Sequence, residues 1–204
     1  ATPHLGASTN EAQENVAIQV AEQMADYLMR GAVTNALNMP SITAEEAPRL
    51  KPFIALAEKL GQFAGQLTET SVKAIEVVYA GGVARLNTKP MTAAAVAGVL
   101  RPMLAEVNIV NAPLIAKERG VAIAETYRDD SENFESVIRL RIVTERQSRS
   151  ISGALFGATP RIVEIKGVEM EATFAPHMLY VTNEDKPGFI GAPGHTLGAA
   201  NVTI

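Results

Sequence analysis

Between residues 138 and 142 the hydrophobic period of this chain is two, with Ile138, Leu140 and Ile142 alternating against Arg139 and Arg141. Successive side chains of a strand point to opposite faces, so the segment reads as a half-buried strand with one apolar and one basic face. Such a strand needs partners, because a lone strand leaves its backbone groups unpaired. Arg161 to Phe174 supplies a hairpin that turns at Lys166-Gly167, where Val168, Met170, Ala172 and Phe174 alternate with Glu169, Glu171 and Thr173. Ser71 to Ala80 is a further strand-like stretch, rich in Val and Ile and broken at Gly81-Gly82.

Elsewhere the period is helical. Ser8 with Glu11 three residues later forms a capping box, Ala17, Ala21, Met24 and Leu28 follow on one stripe, and Gly31 is a stop. At 1.5 Å per residue this helix is about 33 Å long, enough to cross from one domain to another. Extended residues Val33 to Pro40 then set a boundary near residue 40. Helices are expected from Pro48 to Gln66 and from Ala93 to Leu104, the latter interrupted by Pro102. Asn111-Ala112-Pro113 starts a short helix that carries Lys117 and Arg119 and ends at Gly120. The last stretch reads as a short strand at Met178 to Val181, a turn at Asp185-Lys186-Pro187-Gly188, a helix to about Ala200 and a second strand starting at Val202-Thr203-Ile204. The expected fold is therefore mixed α/β in three pieces: 1–39, 40–175 and 176–204. The last piece buries too little by itself, and the chain reads as cut at both ends.

Charge and composition exclude several classes. With 22 acidic against 18 basic residues there is no general attraction to nucleic acid or anionic lipid. No apolar run approaches the roughly 20 residues that span a bilayer, and no charged-then-apolar signal opens the chain, so a cytoplasmic location without membrane contact is expected. Cysteine is absent and His4, His177 and His195 lack metal-ligand spacing, so no metal site is expected. No Gly-x-Gly-x-x-Gly follows a strand; Gly188, Gly191, Gly194 and Gly198 are spaced as small residues along one side of a helix and read as a packing stripe.

The chemistry concentrates in a few segments. In Thr2-Pro3-His4-Leu5-Gly6-Ala7-Ser8-Thr9 a proline-fixed turn delivers a histidine beside a Gly-Ala pair that lets backbone approach a ligand closely. A lone histidine in such a turn is more often structural than catalytic. Asn183 to Gly188 is a polar loop able to present side-chain oxygens and helix-start amides to a small zwitterion, or simply a turn. Lys117, Arg119, Arg139 and Arg141 are the candidates for holding an anion, against the plainer reading of solvated charged faces.

These segments, with Val110-Asn111-Ala112-Pro113-Leu114-Ile115-Ala116-Lys117-Glu118-Arg119-Gly120, Gly153-Ala154-Leu155-Phe156-Gly157 and Pro160 to Ile165, resemble the D-2-hydroxyacid dehydrogenases, and among them the long D-3-phosphoglycerate dehydrogenases. The resemblance implies that residues 1–39 end a Rossmann-type catalytic domain, 40–175 form an intervening, allosteric-substrate-binding domain, and 176–204 begin an ACT (βαββαβ) effector domain. It implies NAD as cofactor, 3-phosphoglycerate as substrate and serine biosynthesis as the role. His4 would be the general acid/base, with Glu and Arg partners upstream of residue 1, and His4, Leu5, Gly6 and Ala7 would line the nicotinamide side. Asn183 and Asp185 would contact L-serine, although Thr203 stands where an Asn is usual. A homo-oligomer is implied, with this part of the enzyme inactive alone. The alternative is a non-catalytic regulatory module that binds L-serine or a phosphorylated acid.

Overall fold

The computed structural model describes residues 8–131, 133–184 and 187–202. They form two compact units, one ending at Phe174 and the other beginning at Ala175. In the first unit the order is α1 (Asn10–Arg30), α2 (Ala47–Gln66), β1 (Val72–Gly81), α3 (Lys89–Leu100), α4 (Ala112–Glu118), β2 (Ala122–Arg128), β3 (Ser136–Thr144), β4 (Ser148–Phe156), β5 (Thr159–Ile165) and β6 (Val168–Thr173). The second contains α5 (Gly191–Ala199).

The strands make one six-stranded mixed sheet in the order β2-β1-β3-β4-β5-β6. Only β1 and β2 are parallel, as expected for strands separated by a helical crossover, here α3 and α4. The other pairings are antiparallel. At the β5–β6 turn both Lys166 (φ 51°) and Gly167 (φ 80°) are left-handed, the backbone a two-residue hairpin of this type requires.

One face of the sheet is covered by helices. Ile75, Val77 and Tyr79 of β1, Ile138, Leu140 and Ile142 of β3, Ile151 of β4, and Ile162 and Ile165 of β5 are buried there, with Leu50, Leu56 and Leu60 of α2. Each buried aliphatic side chain contributes about 1.5–3 kcal/mol. A Cβ on Gly153 would lie 2.7 Å from Leu56 Cδ1, so this glycine makes room for the leucines of α2. Ile162 and Ile165 share the helix-side face although three residues apart, because a bulge between Ile162 and Glu164 shifts the alternation.

The sequence Lys-Pro-Met-Thr-Ala-Ala-Ala-Val-Ala-Gly-Val-Leu of α3 has no polar face, and Pro90 through Leu100 are buried. The helix starts four residues before the expected Ala93, with Pro90 in its first turn where a missing N–H is harmless, and stops before Arg101-Pro102 because proline cannot continue it.

Three further expectations are corrected. The α1 cap is Thr9 rather than Ser8: Thr9 has the extended backbone (φ −109°, ψ 154°) that precedes a helix, and its Oγ1 accepts the Ala12 N–H at 3.2 Å. Gly31 closes the helix in the left-handed conformation (φ 74°), but no α1 residue is buried, and Met24 and Leu28 of its apolar stripe are exposed. In the second unit Met178 to Val181 form no strand, since the described residues supply no ladder partner. Nothing lies within 4 Å of a Cβ built on Gly188, Gly191, Gly194 or Gly198, so the stripe is not packed among the described residues.

The α2–α3 contact is set by glycines. A Cβ on Gly61 would collide with the Ala95 carbonyl oxygen, and one on Gly98 with the Glu58 carbonyl oxygen and, at 2.7 Å, with the Gln62 amide nitrogen. Alanine normally improves a helix interior by about 1 kcal/mol over glycine. Here the sign reverses: G61A and G98A are each expected to destabilise the chain by about 1–3 kcal/mol, read from urea denaturation midpoints. An exposed control, G191A, is expected to show no loss.

Candidate functional site

The face of the sheet away from the helices is where the polar side chains of β1, β3, β4 and β5 converge. Arg139 stands opposite Ser152 in the β3–β4 register, and Ser152 opposite Glu164 in β4–β5. Arg139 donates from Nη2 to Glu164 Oε2 at 2.6 Å and from Nε to Ser152 Oγ at 3.0 Å. Ser152 Oγ donates to the same carboxylate oxygen at 2.8 Å, and the Gly167 N–H donates to Glu164 Oε1 at 2.8 Å. Ser152 is 1% exposed. Burial raises the Glu164 pKa, but the Ser152 and Gly167 hydrogen bonds and the Arg139 charge outweigh it and hold the carboxyl below its ordinary value. One row along, Arg141 reaches Glu76 at 3.2 Å and Ser148 at 3.3 Å, while Arg161 pairs with Glu171 and lies 4.8 Å over the Phe156 ring.

A cavity of about 670 Å³ lies on this face. Val78, Val137, Ser152 and Val163 contribute from the sheet, Asp130, Asn133 and Phe134 from the segment after β2, and Glu169, Met170 and Glu171 from β6. Phe134 and Phe156 meet edge to face with centroids 6.0 Å apart.

On the helix side, near the β2 edge, a second polar group connects strand and helix. Thr92 of α3 and Tyr127 of β2 donate to the two carboxylate oxygens of Glu125, Tyr79 Oη lies 2.7 Å from Thr92 Oγ1, and Thr88 Oγ1 lies 3.1 Å from Tyr127 Oη. The rings of Tyr79 and Tyr127 stack at 5.9 Å. Burial pushes the Tyr79 phenol well above its ordinary range, so it stays a neutral donor; Glu125 beside Tyr127 raises that phenol too. This cluster ties the edge strand to α3.

The expected site residues are distributed unevenly. His4, Leu5, Gly6, Ala7, Asp185 and Thr203 lie outside the described residues. Asn183 is exposed in a loop of the second unit. Lys117 lies in the last turn of α4 and Arg119 is its C-cap; α4 packs on α3, so these two belong to the helix layer while Arg139 and Arg141 project from the opposite face. The four do not form one anion site, and the two on β3 are matched by carboxylates of the sheet. Ser152, Glu164 and Glu125 were not anticipated, because each acquires its partner through pairing of distant strands and helices.

Among the described residues no three His, Cys, Asp or Glu side chains converge as a metal-ligand set, and no helix is long and apolar enough to cross a membrane. The glycine turn after β1 is occupied from within, since a Cβ on Gly81 (φ 75°) would meet the Glu135 carbonyl oxygen and, at 2.8 Å, Ser131 Oγ.

Helices α3 and α4, strands β1 to β5 and all of α2 but its first two residues lie within residues 49–166, which match the family model described as the D-3-phosphoglycerate dehydrogenase intervening domain. The chain belongs to the D-3-phosphoglycerate dehydrogenase family. The whole chain aligns with D-3-phosphoglycerate dehydrogenase of Bacillus subtilis (strain 168) at 35% identity, covering 39% of that protein. It is likewise 37% identical to the enzyme of that name from Synechocystis, covering 37% of it, and 36% identical to that from Methanocaldococcus jannaschii, covering 39%. The chain thus spans about two-fifths of the length of these relatives.

The Glu164 cluster makes stability depend on pH in a defined direction. A carboxyl whose folded pKa lies below its unfolded value stabilises the fold fully above the unfolded value, ordinarily 4.5, and loses that contribution as the pH falls through the folded one. E164Q is expected to lower stability at neutral pH by about 1–3 kcal/mol, with a smaller deficit towards about pH 3. Urea midpoints across that range check this; parallel curves for wild type and variant would contradict the assignment.

Proposed function

We propose that this chain is the C-terminal part of an NAD-dependent D-3-phosphoglycerate dehydrogenase, acting in the cytoplasm to oxidise the 2-hydroxyl of 3-phosphoglycerate and so form 3-phosphohydroxypyruvate for L-serine biosynthesis. The observation that carries this reading is the intervening-domain match over residues 49–166, joined to end-to-end alignment with relatives of that name. In this reading residues 1–39 complete the catalytic domain, 40–175 are the intervening domain and 176–204 open an ACT domain. His4 takes the proton of the substrate hydroxyl, a carboxylate orients its ring, and Leu5, Gly6 and Ala7 border the nicotinamide. In this reading NAD is bound by a separate dinucleotide-binding fold of the full-length protein, and the 204-residue chain has no dehydrogenase activity alone.

A positioned general base contributes about 10²–10⁴-fold in rate. In the full-length protein H4Q is therefore expected to lower kcat by that order while the fold survives, measured as NADH formation with 3-phosphoglycerate. Activity unchanged by H4Q would remove His4 from the mechanism, and no NADH from wild type would remove the reaction.

The intervening and ACT parts are the regulatory portion of a homo-oligomer, with L-serine as effector at Asn183 and Asp185. N183A is expected to weaken serine binding at least tenfold by calorimetry on the full-length protein. The second reading, a module that binds L-serine or a phosphorylated acid without catalysis, is favoured by the placement of the intervening-domain match at residues 49–166, wholly outside the segment that carries His4. Of the four candidate cations, Arg139 and Arg141 are matched inside the sheet, which leaves Lys117 and Arg119 to hold a phosphorylated acid in that case.

A further inference from the structure

We propose that residues 31–43 form a rigid joint, in which α1 is coupled to α2 through the paired backbones of Val33 and Ile42, and that the loop 34–41 lies outside the path between the two helices.

A domain boundary near residue 40 calls for extended chain between bodies that turn independently, and the structure has none there. No α1 residue is buried, so this helix is held at its C-terminal end. There Gly31 is left-handed (φ 74°), and the N–H groups of Gly31 and Ala32 return to the carbonyls of Tyr27 at 2.9 Å and Asp26 at 3.4 Å, which closes the helix end. Ala32, Val33 and Ile42 are buried, and Val33 and Ile42 exchange both backbone hydrogen bonds at 2.8 Å. Thr43 then caps the turn that leads into α2. Its Oγ1 accepts the Glu46 N–H at 3.2 Å, its own N–H and hydroxyl donate to the Glu46 carboxylate at 3.1 and 2.9 Å, and its carbonyl accepts the Ala47 N–H at 3.0 Å. Gly31, Ala32, Val33, Ile42 and Thr43 are thus each hydrogen-bonded along the path from one helix to the other.

The loop is a side branch. Its ends are already joined by the bridge, Asn35 within it is left-handed (φ 57°), and Leu37 at its tip is exposed. Asn87 Nδ2 pins it by donating to the Ser41 carbonyl at 2.9 Å. Closure entropy rises slowly with loop length, so residues added at the tip lengthen the branch and leave the bridge in place. In a flexible linker the same insertion would lengthen the path between α1 and α2. Loop insertion and bridge disruption therefore have opposite consequences for a joint and for a linker.

The joint does not depend on the dehydrogenase reading; within that reading it means that the catalytic and intervening portions do not turn about residues 31–43. It is tested on the 204-residue chain, which has no cysteine, so introduced thiols are labelled uniquely. Nitroxides are placed by Q19C on α1 and T126C on β2, both exposed positions, and the distance distribution is read by pulsed electron paramagnetic resonance. One narrow distribution is expected, unchanged in position and width when Gly-Ser-Gly-Ser is inserted between Leu37 and Asn38, and unchanged by N87A. V33G/I42G, which removes both bridge side chains and frees the backbone there, is expected to at least double the width. A second label pair, K51C on α2 with T126C, is expected to stay narrow in V33G/I42G, which separates loosening of the joint from unfolding of the sheet and its helix layer. A broad distribution in the unaltered chain, broadening by the loop insertion, or an unchanged width in V33G/I42G would overturn the proposal.

Discussion

The architecture of the first unit depends on how closely α2 and α3 approach each other. Gly61 and Gly98 present bare backbone at the crossing, with no room for a single additional carbon against the facing carbonyl groups. That proximity lets an α3 with no polar face disappear between its neighbours and directs the leucines of α2 onto the sheet. Gly153 completes the contact from the other side, removing a side chain where Leu56 and Leu60 descend. Dispersion and burial reward this fit only because the surfaces are complementary at the scale of one methyl group.

With the helices on one face, the other face must meet water in some other way. Arginine and glutamate rows on adjacent strands do this by pairing across the ladder, their aliphatic stems covering the small residues beneath. Ala154 and Ser152 are consequently 1% exposed although no helix covers them. Exposed ion pairs of this kind contribute little individually. The Arg139–Ser152–Glu164 group differs in that three donors converge on one nearly buried carboxylate, which holds the β3–β4–β5 register and forms part of the cavity wall.

How legible this was in the sequence varied with how local the signal is. The strand at 138–142 and the Lys166-Gly167 hairpin were plain, because side-chain alternation and a left-handed turn are properties of a few adjacent residues. Strand β2, at an edge, and β4, with its Ser-Arg-Ser-Ile-Ser-Gly start, carry weak strand propensity and exist through pairing with neighbours. Conversely, Met178 to Val181 has strand-like letters but no ladder. The apolar stripe of α1 declared a helix correctly and said nothing about what lies against it. Among site residues, Arg139 and Arg141 were visible as an alternating basic face, yet their carboxylates come from Glu164 and Glu76, 25 and 65 residues away.

By itself the sequence determined the mixed α/β class, most element boundaries and the family resemblance. These rest on short-range periodicity, caps and contiguous motifs, where physical constraint acts over a few residues. Only the tertiary structure decided which carboxylates match Arg139 and Arg141, which glycines are needed for packing, and that a cavity lies opposite the helix layer. Charge matching and cavity shape arise between residues distant along the chain, so they exist only once the strands are in register.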